Sequence, residues 1–145
     1  MSKIDLVRQK AQRILTKNLG NVRIDDDGDF IVSHESANVF ISVVDFFKEH
    51  VIIQLSCPLV SDVKLTNDLY KWIATEGQSN RIGHCRVIES KDKTGYGIIT
   101  NEQSLIADDL DESELMTNLV VLITTCAELD TELQGMFGGE LFGED

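Results

Sequence analysis

The densest chemistry in the chain is the acidic turn Asp25-Asp26-Asp27-Gly28-Asp29. Carboxylates ahead of a glycine are what a calcium loop offers. Such a loop takes oxygen ligands from its first, third and fifth positions, a glycine at the sixth and a glutamate at the twelfth. With Gly28 as the sixth position, Asp25 and Asp27 fit, but the first position falls on Arg23 and the twelfth on His34. The residues therefore read as an acidic turn, and no metal or other cofactor is expected. A zinc site would need closely spaced pairs of Cys or His, which Cys57, Cys85, Cys126, His34, His50 and His84 do not form. His84 and Cys85 are neighbours, yet on a strand they point to opposite faces and cannot serve as base and nucleophile. Neither a G-x-S-x-G elbow nor a phosphate-cradling glycine loop occurs. No catalytic residue is assigned, and the chain is not expected to be an enzyme.

The carboxylates near the end are of two kinds. Asp108, Asp109, Asp111, Glu112 and Glu114 gather where a helix begins and suit the positive end of its dipole. Glu128, Asp130 and Glu132 sit in the last turns of the same helix, where negative charge opposes the dipole. They are expected to pair with a basic element or with a partner. The whole chain carries a net charge of -12, and its distribution is uneven. Residues 1–100 hold all 13 Lys and Arg and an equal number of acids; the last 45 residues hold 12 acids and no Lys or Arg. An acidic face of this kind keeps a protein solvated or attracts a basic partner, and it disfavours nucleic acid, whose phosphates need a basic face.

The elements that carry these residues follow from apolar spacing. Over 111–137, Leu115, Leu119, Leu122, Cys126, Leu129, Leu133 and Met136 recur in steps of four and three, which places them on one helical stripe. Asp111 and Glu114 read as its capping box. A shorter helix over 3–18, capped by Ser2, carries Lys3, Arg8, Lys10, Arg13 and Lys17 opposite an apolar face. Between them, 22–26 and 30–33 flank the Asp27-Gly28 hairpin turn, 37–46 and 51–58 are longer strands, Thr66 caps a short helix, and 84–90 and 96–100 form a second hairpin. The fold class is α+β: an antiparallel sheet with helices largely on one face, in the order α-β-β-β-α-β-β-α. A single domain over 1–145 is expected, with residues from about 138 onward a mobile acidic tail. No apolar run reaches the roughly 18 residues of a membrane span, and no signal-peptide core is present, so a cytoplasmic location is expected. The three cysteines are expected to be buried reduced thiols.

One strand has a surplus. In 37–46, Val39, Ile41 and Val43 share one face, while Phe40, Val44 and Phe46 share the other. Something must cover the second side. A bound peptide or a second subunit would do so, with Phe40, Val44 and Phe46 giving apolar contact and Glu128, Asp130 and Glu132 favouring a basic or amphipathic client. The rival is a regulatory or structural subunit whose apolar sheet face is a permanent homo-oligomer interface.

The strand A-N-V-F-I-S-V-V (37–44), the segment I-Q-L-S-C-P-L-V (53–60) and the helix end A-E-L-D-T-E-L-Q-G-M-F-G-G (127–139) resemble the YbjN-domain family and the related type III secretion chaperones. The resemblance implies a Tir-chaperone-like α+β fold, often a homodimer, that holds extended segments of other proteins and catalyses nothing.

Overall fold

The computed structural model describes residues 1–143. Helix α1 (Lys3–Leu19) is followed by strands β1 (Arg23–Ile24), β2 (Phe30–His34), β3 (Ala37–Phe46) and β4 (His50–Lys64). Helix α2 (Asn67–Ala74), strands β5 (His84–Glu89) and β6 (Tyr96–Ile106), helix α3 (Glu112–Phe137) and the two-residue strand β7 (Glu140–Leu141) complete the order. The strands make one antiparallel sheet in the order β1-β2-β3-β4-β6-β5, with β7 added to β4. This is the expected α+β architecture, with four strands rather than three between α1 and α2 and an extra strand at the end.

Local chemistry explains the boundaries. Ser2 and Thr66 accept backbone N–H groups of Asp5 and Leu69 and so cap α1 and α2. The Asp111 carboxylate accepts the Ser113 N–H at 2.7 Å and caps α3. Glu114 stays exposed instead of reaching back, so the cap is one-sided rather than a box. At the acidic turn, Asp25 Oδ1 accepts from the backbone of Asp27 at 3.0 Å and of Asp29 at 2.9 Å. That carboxylate shapes the turn itself.

The sheet runs further than the alternation indicated. β4 passes through Pro58 to Lys64, and β6 extends to Ile106. A proline removes a ladder donor, so it belongs where a strand lacks a partner on one side. The ladder with β3 ends at Phe40↔Ser56, and Pro58 keeps only its register partner Thr100 on β6. Beyond it the register slips between Pro58 and Val63, and Asp62 takes a φ of 54°. The irregularity sends the adjacent Leu59 and Val60 both into the core.

The inner face carries Val39, Ile41 and Val43 of β3 and Val51, Ile53 and Leu55 of β4, all buried. α1 and α3 lie on this face and touch each other, and α2 packs beside β5. Leu115, Leu119, Leu122, Ile123, Cys126 and Leu133 of α3 are buried there. Met136, expected on the stripe, is 48 % exposed, because the inward position one turn after Leu133 goes to Phe137, which packs against the core and meets Trp72 edge-on at 6.2 Å.

The segment expected as an acidic tail is placed against the sheet as far as Gly143. Leu141 faces Val60 in register and is buried, and the Phe142 N–H donates to the Leu59 carbonyl at 3.2 Å. Residues 144 and 145 of that expectation lie outside the described residues.

A polar latch closes the end of the sheet beside α1. Asp108 accepts from His50 Nδ1 at 2.5 Å and from the Val51 N–H at 2.8 Å, with Lys3 Nζ at 3.4 Å. The His50 hydrogen bond, then that of Val51, pull the Asp108 carboxyl from the ordinary 3.8 down to about 2. A carboxylate whose pKa is lower folded than unfolded contributes stability above its unfolded value and loses it as pH falls through the folded one. The melting temperature is expected to drop between pH 3.8 and about 2. Asp108→Asn should lower it at neutral pH and flatten that part of the profile. Scanning calorimetry of both proteins across this range checks it.

Candidate functional site

Among the described residues no helix lies on the outer face of the sheet, and the side chains of that face are set by register. Phe40 of β3 stands beside Ser56 of β4, which stands beside Glu102 of β6, which stands beside His84 of β5. Two residues along β3, Ser42 is next to Gln54; two more, Val44 is next to Ile52 and that next to Ile106. The face is thus graded, from an apolar end at Val44, Ile52 and Ile106 to a polar middle.

The middle is concave and holds a groove of about 460 Å³. Phe40, Ser42, Gln54 and Ser56 line its floor, Asp25, Asp27 and Asp29 form one rim, and Arg86, Ile88 and Ile98 form the other. Arg86 Nε donates to Glu102 Oε2 at 2.9 Å, with the Glu102 side chain 11 % exposed. This pair neutralises a carboxylate set into the floor, so the uncompensated charge of the groove comes from the Asp25–Asp29 rim. Phe142 closes the end beside Pro58, and its ring meets Phe40 edge-on at 6.2 Å.

At the apolar end, Val44 and Phe46 are about two-fifths exposed and Ile106 is 68 % exposed. The turn after β3 places Phe47 at φ 52° and Lys48 at φ 63°, a left-handed conformation that costs a bulky side chain free energy. Its result is a Phe47 ring 81 % exposed and packed edge-on against Phe46 at 4.5 Å. Strained backbone that holds an aromatic in water is a feature functional surfaces share.

Of the residues singled out from sequence, Phe40, Val44 and Phe46 are therefore on one face, the outer one. Glu128 and Glu132 are exposed on α3, which lies against the inner face, so the sheet separates them from the three apolar residues. Asp130 is not on an acidic surface at all. It is 2 % exposed and accepts the Ser36 hydroxyl at 2.6 Å through Oδ2, while Oδ1 has no partner. The expectation that Glu128, Asp130 and Glu132 act together is corrected for this reason. Asp130 is one helical turn from both Cys126 and Leu133, and it takes the inward position that the spacing gave to Leu129, which is half-buried. Nor do these acids meet the basic helix. Lys17 pairs with Glu112 at 3.1 Å and Lys3 with Asp108, both before or at the start of α3.

Sequence reasoning missed Phe47, Ile52, Ile106, Phe142 and the Asp25–Asp29 rim as parts of one surface. Ile52 and Ile106 could be found only with the β3-β4-β6 register, and Phe142 only with β7 in place.

The cysteines lie under α3 and away from the groove. All three are free and buried. Cys57 and Cys85 flank Asn101 in register, and Asn101 Nδ2 donates to Cys126 Sγ at 3.5 Å. Contact with Cys126, together with burial, raises the Cys57 thiol, and burial pushes Cys85 up to about 12. A thiol held protonated is a poor nucleophile.

With the groove described, the chain can be set beside known families. A family model for T3SS (YopN, CesT) and YbjN peptide-binding chaperone 1, TY-Chap1, matches residues 5–145. The chain belongs to the TY-Chap1 family. The match covers both the sheet that builds the groove and the helices behind it, and the α+β fold observed here is of the type III secretion chaperone kind. TY-Chap1 proteins are named for binding peptides, which is a chaperone's role and not that of a catalyst. No curated protein gives a significant match to the chain. Among the described residues no helix is long and apolar enough to cross a membrane.

The contrast among the three acids is testable. Asp130→Ala leaves the Ser36 hydroxyl without its acceptor and opens space under α3, and should cost about 1–3 kcal/mol. Glu128→Gln and Glu132→Gln should stay within roughly 0.5 kcal/mol of the parent. Urea unfolding of the three variants measures both.

Proposed function

We propose that the chain is a non-catalytic peptide-binding chaperone or adaptor that holds an extended segment of a partner protein on the outer face of its sheet. The observation that carries this reading is the open groove on that face, floored by Phe40, Ser42, Gln54 and Ser56 and continued by the exposed Val44, Phe46, Phe47 and Ile106. A groove graded from apolar to polar suits an amphipathic extended chain, whose side chains alternate between surface and solvent. The acidic rim of Asp25, Asp27 and Asp29 favours a client with a basic residue in that position. Glu128 and Glu132 contribute at most to the general acidic field, and Asp130 supports the fold.

The rival reading makes the same face a permanent homo-oligomer interface. Obligate interfaces resemble a domain core and are strongly apolar. Here Gln54, Ser56 and the Arg86–Glu102 pair occupy the centre, which favours a segment that comes and goes. A homodimer has a better surface on the far side of α3, where Val120 and Val121 are exposed beside the half-buried Met116. Association there leaves the groove open. A cytoplasmic location accords with the free, protonated thiols.

The test is retention of a client by the tagged chain from its own host at low salt, with identification of what is held and elution at rising salt. One stoichiometric protein released by salt is the expected result, since contact with the acidic rim is screened. Phe40→Ser and Phe47→Ser should each cut retention at least about fivefold, about 1 kcal/mol by the usual conversion. Phe47→Ser should leave the melting temperature unchanged within a few degrees, because its ring is in water. Recovery of the chain alone, in an oligomer that Phe40→Ser dissociates, would instead establish the rival.

A further inference from the structure

The groove described above is closed at one end by the chain itself, and the way it is closed points to a function of the C-terminal segment. From Val51 to Ser56, β4 is paired on one edge by β3. From Leu59 to Ser61 the same edge is taken by residues 140–142: Val60 is in register with Leu141, Ser61 with Glu140, and the Phe142 N–H reaches Leu59. A strand edge offers unpaired N–H and C=O groups to any extended chain. Without these residues, β4 would present such an edge directly beside the Phe40 ring.

The occupant is short, although the Gln134 amide donates to the Gly139 carbonyl at 3.2 Å and Leu141 is buried. β7 is two residues long, against a β3–β4 ladder that spans Phe40 to Phe46. It hangs from α3 by Gly138 and Gly139, at φ 77° and 85°. Gly139 is also where the segment comes closest to the sheet, since a Cβ there would run into the Ser61 carbonyl and the Val60 and Val63 side chains. Leu141 turns inward and is buried, whereas Phe142 turns out over Phe40 and keeps 37 % of its surface in water. The segment thus has the form of a bound client: extended, with one apolar side chain seated and the following aromatic capping Phe40.

We propose that residues 138–143 are a resident competitor for the groove, which a client displaces by adding its own extended segment to β4 at Leu59–Ser61 with an apolar residue in the place of Leu141 and an aromatic in the place of Phe142. This rests on the reading of the outer face as a client surface and adds a condition to it. A tethered segment acts at an effective concentration near the millimolar range. Weak clients are therefore excluded, and Phe40 and the β4 edge stay covered when no client is present. The device lies in one chain and requires no second ligand.

The probe is a fluorescently labelled peptide of the chain's own residues 138–145, Gly-Gly-Glu-Leu-Phe-Gly-Glu-Asp, titrated into the full-length protein and followed by anisotropy. Gly139→Ala undocks the tether without touching a groove side chain. It should bind the peptide at least about tenfold more tightly than the parent, as expected when a tethered competitor is removed. Adding Phe40→Ser to Gly139→Ala should abolish the gain. Equal binding by parent and Gly139→Ala, lost with Phe40→Ser, would overturn the competitor and leave the groove as a binding site. No binding by any variant, or binding indifferent to Phe40, would overturn both. Should Gly139→Ala fail to fold by circular dichroism, Phe142→Ser takes its place with the same expected gain and the same overturning results.

Discussion

The structure depends on the need to cover one apolar helix stripe. α3 presents Leu115, Leu119, Leu122, Ile123, Cys126 and Leu133 in a continuous band, and burying each large side chain is worth about 1.5–3 kcal/mol. The inner face of β3 and β4 meets that need, with α1 filling the remaining space. Because all three helices are committed to one side, the other side of a strand that is apolar on both faces is left bare. The groove is therefore a by-product of how the core is satisfied, and its floor is whatever the pleat places opposite the core residues.

How much of this could be read beforehand depended on the range of the interaction concerned. Ser2, Thr66 and Asp111 as caps, the Asp27-Gly28 turn and the limits of β3 are local matters of spacing and side-chain type, and they stand in the structure as read. The α+β class and the family followed from their order. Asp130 was misplaced because positions 129 and 130 are both compatible with the stripe, and only the Ser36 hydroxyl, 94 residues away, favours the carboxylate inside. Pro58 suggested the end of a strand, but the departure of β3 at Ser56 makes the proline tolerable and lets β4 continue. Phe142 gave no local sign of its place, since a two-residue strand has too few residues to show alternation.

The acidity also changes meaning once it is placed. Glu112 and Asp108 are answered by Lys17 and Lys3, Glu102 by Arg86, and Asp130 by Ser36. The acids that line the outer-face groove are those of the first hairpin turn, which in sequence look like ordinary turn formers. Asp25 does both jobs, holding the turn with one oxygen and lining the groove rim.

The sheet order has a consequence for crowding among like molecules. Its two outermost strands are β1, only two residues long, and β5, whose His84, Arg86 and Glu89 are polar. Neither offers a long, greasy border along which copies could line up into fibres. The stretch of β4 that β3 leaves free, Leu59–Ser61, is taken by residues 140–142 beside Phe40. The exposed Val44, Phe46 and Ile106 thus lie on a face of the sheet and not along a border, where copies could add strand to strand.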